Sequence, residues 1–308
     1  MSVIEVEGLV KVYDGKRVVD EVTFAVETGE IFGILGPNGA GKTTTVEAIS
    51  GLRRPNGGRV SVFGLDPQRD GAEVKERLGV QLQESQLPDR IKVWEALDLF
   101  SSFYRSPAEW PDLLEQLGLA DKRDAIYSKL SGGQKQRLSI ALALVGQPEV
   151  AILDELTTGL DPQARRDTWE LIEQLRDRGV TIVLVTHFME EAERLADRVA
   201  LIDSGRLIAL DTPAGLVARA GDEQRIRFRP SAPFDEGLLS GLDEVTDVTR
   251  NGDQILVSGV GNVLHAVISL LAQNQIIAEQ VRVDQTTLDD AFVALTGRRM
   301  DTDPNETS

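Results

Sequence analysis

The chain has 308 residues with 50 acidic and 33 basic side chains, a net charge of −17, so it lacks the basic surface that grips a nucleic-acid backbone. It has no cysteine and two histidines, His187 and His265, which removes disulfide scaffolds, thiolate chemistry and multi-histidine metal centres. Hydrophobic residues make up 41%, enough for packed cores, and no apolar run approaches the ~20 residues that span a bilayer. With no basic-then-apolar leader in MSVIEVEGLVKVYDGK, the expectation is a soluble, cytoplasmic protein.

In chain order, residues 1–35 begin with two alternating stretches, Ile4–Glu7 and Val22–Val26, separated by an Asp14-Gly15 turn, which predicts a strand hairpin. Ile31–Leu35 is continuously apolar and runs into glycines; Lys42–Ile49 then has helical composition. Residues 88–147 carry helical periodicity punctuated by Pro88, Pro107 and Pro111, the pattern of a helical subdomain inserted between strands. Val150–Leu153 and Val180–Val185 read as two more buried strands around a helix near 162–178. The alternation predicts an α/β fold: a mostly parallel sheet covered on both faces, with an antiparallel part at the N-terminus. Beyond Asp222 the pattern changes to Arg225–Arg229, a hairpin over Val245–Val260 turning at Asn251-Gly252, and helices at Asn262–Ala272 and Thr286–Leu295. That predicts a small α+β domain. Residues 222–308 hold 15 acidic and 7 basic side chains, about half the acidic excess of the whole chain.

Gly36-Pro37-Asn38-Gly39-Ala40-Gly41-Lys42-Thr43 fits the phosphate-loop pattern and stands between a buried strand and a helix, where that pattern works. Glycines let backbone N–H groups and the helix N-terminus face phosphate oxygens; Lys42 is placed to neutralise them and Thr43 to offer a hydroxyl to Mg²⁺. Asp154-Glu155 ends a buried strand, where ligands of open α/β sheets sit. Asp154 suits Mg²⁺, and Glu155, on the opposite side of the strand, suits accepting a proton from an attacking water. Ser131 precedes Gly132-Gly133-Gln134 and an apolar helix, either an ordinary cap or a second helix-terminus phosphate site.

Taken together and in this order, the phosphate loop, Leu130-Ser131-Gly132-Gly133-Gln134-Lys135-Gln136-Arg137 and Ile152-Leu153-Asp154-Glu155 resemble the Walker A, signature and Walker B motifs of the ATP-binding-cassette family over about residues 1–220. The resemblance implies an ATPase using ATP and Mg²⁺, with Thr44 beside Thr43 in the nucleotide loop. Tyr13 is then the residue stacking on adenine, and Gln83 senses Mg²⁺ and the permease, with Gln81 as its rival. Asp161, after Gly159-Leu160, belongs to the loop that crosses to a second subunit, and His187 is the switch histidine at the γ-phosphate. Ser131, Gly132, Gly133 and Gln134 would meet the γ-phosphate held by the opposite subunit. One departure is Leu156, where the family usually has proline after the glutamate; His265 has no such context.

The domain expectation is an ATP-binding domain over 1–221 with its helical subdomain at about 84–148, an accessory α+β domain over 223–298, and a frayed tail over 299–308. The end of the accessory domain, Thr287–Arg298, resembles the extension of daunorubicin-resistance-type and sodium-export-type ATPase subunits. Implied partners are a second copy of the chain and a separate polytopic membrane permease, with an exporter role on the cytoplasmic face and without direct membrane insertion or nucleic-acid binding. The competing class is a soluble cassette ATPase acting on ribosomes or DNA, which usually needs two cassettes or a long coiled-coil insertion.

Overall fold

The computed structural model describes residues 1–82, 87–220, 223–284 and 286–297. The chain folds as two compact units, one spanning Met1–Pro213 and a second beginning at Ala214.

In the first unit, β1 (Ser2–Tyr13) and β2 (Lys16–Glu27) pair antiparallel through the Asp14-Gly15 turn. Next come β3 (Ile31–Leu35), α1 (Lys42–Ile49), β4 (Gly57–Val62), α2 (Gly71–Arg77) and β5 (Leu78–Gln81). The inserted helices are α3 (Val93–Ser101), α4 (Trp110–Gln116) and α5 (Gly132–Leu144). They are followed by β6 (Val150–Asp154), α6 (Pro162–Asp177), β7 (Thr181–Thr186), α7 (Met189–Leu195) and the hairpin β8 (Arg198–Asp203) and β9 (Arg206–Asp211). β2-β1-β4 form one antiparallel sheet, and β5-β6-β7-β3-β8-β9 form a second that is parallel except at β9.

Why the central strands lack alternation follows from their surroundings. β3, β6 and β7 are buried at every position, so both faces must be apolar. Successive residues still point to opposite faces. Ile31, Ala151, Leu153, Ile182 and Leu184 join the core shared with the inserted helices. Phe32, Ile34, Val150, Ile152, Val183 and Val185 join the core under the antiparallel sheet. Each large apolar side chain among them contributes roughly 1.5–3 kcal/mol of burial, which holds the strand ends in fixed register.

The second unit contains α8 (Pro213–Ala220), β10 (Glu223–Pro230), α9 (Gly237–Ser240), β11 (Val245–Asn251), β12 (Gln254–Val260), α10 (Val263–Gln273), β13 (Ala278–Asp284) and α11 (Leu288–Thr296). Its sheet, β11-β12-β10-β13, is antiparallel throughout. Ile226, Phe228, Ile255 and Val257 bury one face beneath Val263, Val267 and Leu271 of α10. Arg225, Arg227 and Arg229 alternate with those residues along β10 and pair with Asp290, Asp284 and Glu279 at 3.1, 3.7 and 2.7 Å.

Candidate functional site

The sheet order places β6, β7 and β3 side by side, so the residues following their carboxyl ends meet. Asp154 is in register with Val185, and Leu35 with Thr186. The phosphate loop, the Asp154-Glu155 pair and His187 therefore converge.

Two glycines shape the loop after β3. A Cβ on Gly36 would lie 2.0 Å from the Ile202 carbonyl oxygen, and Gly41 has φ +101° with the Val18 oxygen 2.6 Å from where its Cβ would stand. Gly41 is also the N-cap of α1 and offers no side-chain cap, leaving the first-turn N–H groups to face an anion. Lys42 opens this helix almost fully buried, and its Nζ donates to the Gly36 and Pro37 carbonyls at 2.7 and 3.2 Å. Burial pulls its pKa below the ordinary lysine value, opposed by Glu155 and Asp154. Pro37, Asn38, Gly39 and Ala40 complete the loop between β3 and α1, and Thr44 follows Thr43 in the first turn of α1.

The two carboxylates differ in environment. Asp154 is wholly buried and its Oδ2 accepts from Thr43 Oγ1 at 3.2 Å. Burial, only partly offset by the Thr43 hydroxyl, pushes its carboxyl up to about 6. Glu155 has φ +51°, unusual for a non-glycine residue, and its N–H donates to the Val185 oxygen at 2.8 Å. Its Oε1 is 3.3 Å from His187 Nδ1 and 3.8 Å from Lys42 Nζ. The neighbouring His187 ring is the main cause holding its carboxyl below the usual range, with Lys42 adding to it against the opposing effect of burial. Glu155 is thereby kept as an ionised acceptor, while Asp154 carries the cost of a charge in a dry site.

Asp154 Oδ1 is buried with no hydrogen-bond partner among the described residues. An orphaned carboxylate oxygen beside the Thr43 hydroxyl is a hard-oxygen donor pair that fits Mg²⁺. Among the described residues no cluster of three or more His, Cys, Asp or Glu could hold a metal.

The signature segment is built differently. Ser131 caps α5, its hydroxyl accepting from Gln134 N at 3.3 Å while Gln134 Oε1 accepts from Ser131 N at 3.0 Å. The first turn of α5 stands against Leu160 and Ala164; a Cβ on Gly133 would make ordinary contact, 3.4 Å from that of Ala164. Asp161 caps α6, accepting from Gln163 N and Ala164 N at 3.0 Å each. The signature and the Asp161 loop thus form a second group. Tyr13 ends β1 with Lys11 Nζ and Arg53 Cζ 5.1 and 5.7 Å from its ring centre.

A model of the family described as ABC transporter matches residues 19–158. The daunorubicin/doxorubicin resistance ATP-binding protein of Streptomyces peucetius is 37% identical, covering 97% of this chain and 93% of its own. The Nod factor export ATP-binding protein I of Paraburkholderia xenovorans is 39% identical, covering 97% and 98%. The chain belongs to the ATP-binding-cassette transporter family. A solved ATP-binding subunit of an ABC transporter, 30% identical, superposes with a TM-score of 0.65 over 71% of this chain and 93% of its own. The chain is accordingly an ATP-binding-cassette ATPase subunit.

Gln83 lies outside the described residues. Its rival Gln81 is buried, with Oε1 accepting from Asp154 N at 3.1 Å and Nε2 donating to the Leu82 oxygen at 2.9 Å, so both ends of its amide support the strand beside the carboxylate. His265 sits on α10 in the second unit. Sequence reasoning missed Glu191. Met189-Glu190-Glu191 looks like a solvated acidic start to a helix, yet Glu191 is fully buried while Glu190 is exposed. The available signal was helical period, which sets Glu191 on the same face as Leu195.

Proposed function

We propose that this cassette drives export through a separate membrane permease, hydrolysing ATP between two copies of itself. The observation that carries the hydrolytic reading is Glu155, an ionised carboxylate between Lys42 and His187 beside the phosphate loop. In the proposed cycle the Gly36–Thr43 backbone and Lys42 bind the phosphates, Thr44 supports the same turn, and Tyr13 stacks on adenine. Thr43, Asp154 and Gln83 would hold Mg²⁺, which when bound screens the charge of the phosphate oxygens. Glu155 accepts the proton of the attacking water, and His187 orients that water against the γ-phosphate. Ser131, Gly132, Gly133 and Gln134 of one copy close over the nucleotide of the other, with Asp161 in the crossing loop. This division of labour agrees with the signature and Asp161 forming a group of their own.

Export is supported by the relatives, whose names specify drug resistance and Nod factor export and which align along nearly the whole chain. The membrane path is assigned to a separate permease; among the described residues no helix is long and apolar enough to cross a membrane. Its docking surface is proposed at a cavity of about 440 Å³ lined by Ser50, Leu52, Lys75, Val80, Phe103 and Tyr104, between α2 and the inserted helices. Leu52, Leu99 and Phe103 are exposed there or nearby, the kind of apolar surface that a partner covers. The chain would thus sit on the cytoplasmic face by way of the permease. Replacing Lys42→Ala tests the site: nucleotide binding or turnover should be lost, and wild-type turnover would overturn the assignment.

A further inference from the structure

Glu191 is fully buried on α7, a carboxyl with no access to solvent. Its Oε1 accepts from Trp169 Nε1, in the middle of α6, at 3.0 Å. Thr186, Thr157 and Arg165 act on the same carboxyl in favour of its charged form, while burial, the larger influence, pushes it toward the protonated one. Oε2 completes no hydrogen bond of good geometry among the described residues. A half-satisfied buried carboxyl costs stability, so an apolar side chain would serve packing better at this position.

Each of its neighbours belongs to a segment that carries a group of the nucleotide site. Thr157 follows Glu155 by two residues. Thr186 immediately precedes His187, and its Oγ1 accepts from Phe188 N at 3.0 Å. Arg165 lies in the first turn of α6, where its N–H donates to the Asp161 oxygen at 3.0 Å, and its guanidinium stands 4.8 Å from the ring centre of Phe188. The Phe188 ring is in turn 4.1 Å from that of His187. The one hydrogen bond of the buried carboxyl therefore ties α6, which begins at the Asp161 loop, to α7, which begins just after His187.

We infer that Glu191 is a positioning residue: by tying α7 to Trp169 of α6 it holds His187 and the Asp161 loop in the arrangement that hydrolyses ATP beside Glu155, without itself touching nucleotide. The inference rests on the proposed roles of Glu155 and His187. A carboxylate and a histidine held 3.3 Å apart on two different strands tolerate little drift, because misplacing reacting groups by about 1 Å costs on the order of a hundredfold in rate.

The experiment measures phosphate release by the purified full chain across MgATP concentrations for Glu191→Leu, Glu191→Gln, Trp169→Phe, Glu155→Gln and the exposed neighbour Glu190→Gln, with a thermal melt of each. Glu191→Leu removes the acceptor that holds Trp169, whereas Glu191→Gln keeps it. In Glu191→Leu, kcat should fall about tenfold or more with KM for ATP changed by less than about threefold. Trp169→Phe should fall in the same direction, while Glu191→Gln should stay within about threefold of wild type and Glu190→Gln should match it. A smaller loss in kcat for Glu191→Leu, a matching rise in KM, an equal loss in Glu191→Gln, or melting of both Glu191→Leu and Trp169→Phe below the assay temperature would overturn the inference, the last by making Glu191 a residue of the fold. Wild-type turnover in Glu155→Gln would instead overturn the underlying reading of the site, and this inference with it.

Discussion

Asp154 and Glu155 are adjacent, yet their environments push them in opposite directions. Asp154 is buried and raised to about 6, while Glu155 is drawn down by His187 and Lys42. Divergent carboxylates of this kind divide a task between them. For Asp154 the folded state holds the proton more tightly than the unfolded chain, so its contribution is present below the unfolded value near 3.8 and is lost as pH rises through about 6. The expected outcome is that Asp154→Asn, with chelator present, melts higher than wild type above pH ~6, by on the order of 2–3 kcal/mol, and that the difference closes toward pH ~4. The same variant should lose turnover. Equal melting at pH ~7.5 would show that Asp154 carries no such cost. Lys42 was singled out from the phosphate-loop pattern, Asp154 and Glu155 from their place at the end of a buried strand, and His187 only through the family resemblance. Glu191 was not, because two adjacent glutamates look alike until packing buries one of them.

At the scale of elements, the strands that position the site were legible because burial on both faces leaves continuous apolar runs, as in Ile31–Leu35 and Thr181–Val185. β13 was not. It is exposed along nearly its whole length, so Val281 and Val283 give no contrast between a buried and a solvated face. The β8–β9 hairpin is also hard to read, since β8 is buried through its middle on both faces while its partner β9 is mostly solvated and alternates weakly. Leu156, which stands where relatives of the family usually carry proline, is fully buried in the core shared by the inserted helices and α6. Leu156→Ala should therefore cost about 2–5 kcal/mol in denaturant unfolding, and a loss under about 1 kcal/mol would show that the turn is held by other contacts.

For the whole molecule, the net charge of −17 argues against a basic docking face for nucleic acid, and the proposed nucleotide site needs none. Its positive potential is local, from Lys42 and the N-terminus of α1. Half the acidic excess lies from Asp222 onward, and three arginines of β10 pair with acids of that unit, so its charge is partly internal. With one phosphate loop and one signature per chain, the proposed closed state is a pair of chains. Glu155→Gln with ATP and Mg²⁺ should shift to a dimer in light scattering, whereas a persistent monomer would contradict closure without the permease.

Glu155, between His187 and Lys42 at the end of β6, is proposed to accept the proton of the attacking water. Phosphate release by Glu155→Gln at saturating MgATP tests it most directly. Turnover should fall by roughly 10²–10⁴-fold while ATP still binds; turnover near the wild-type rate would contradict it.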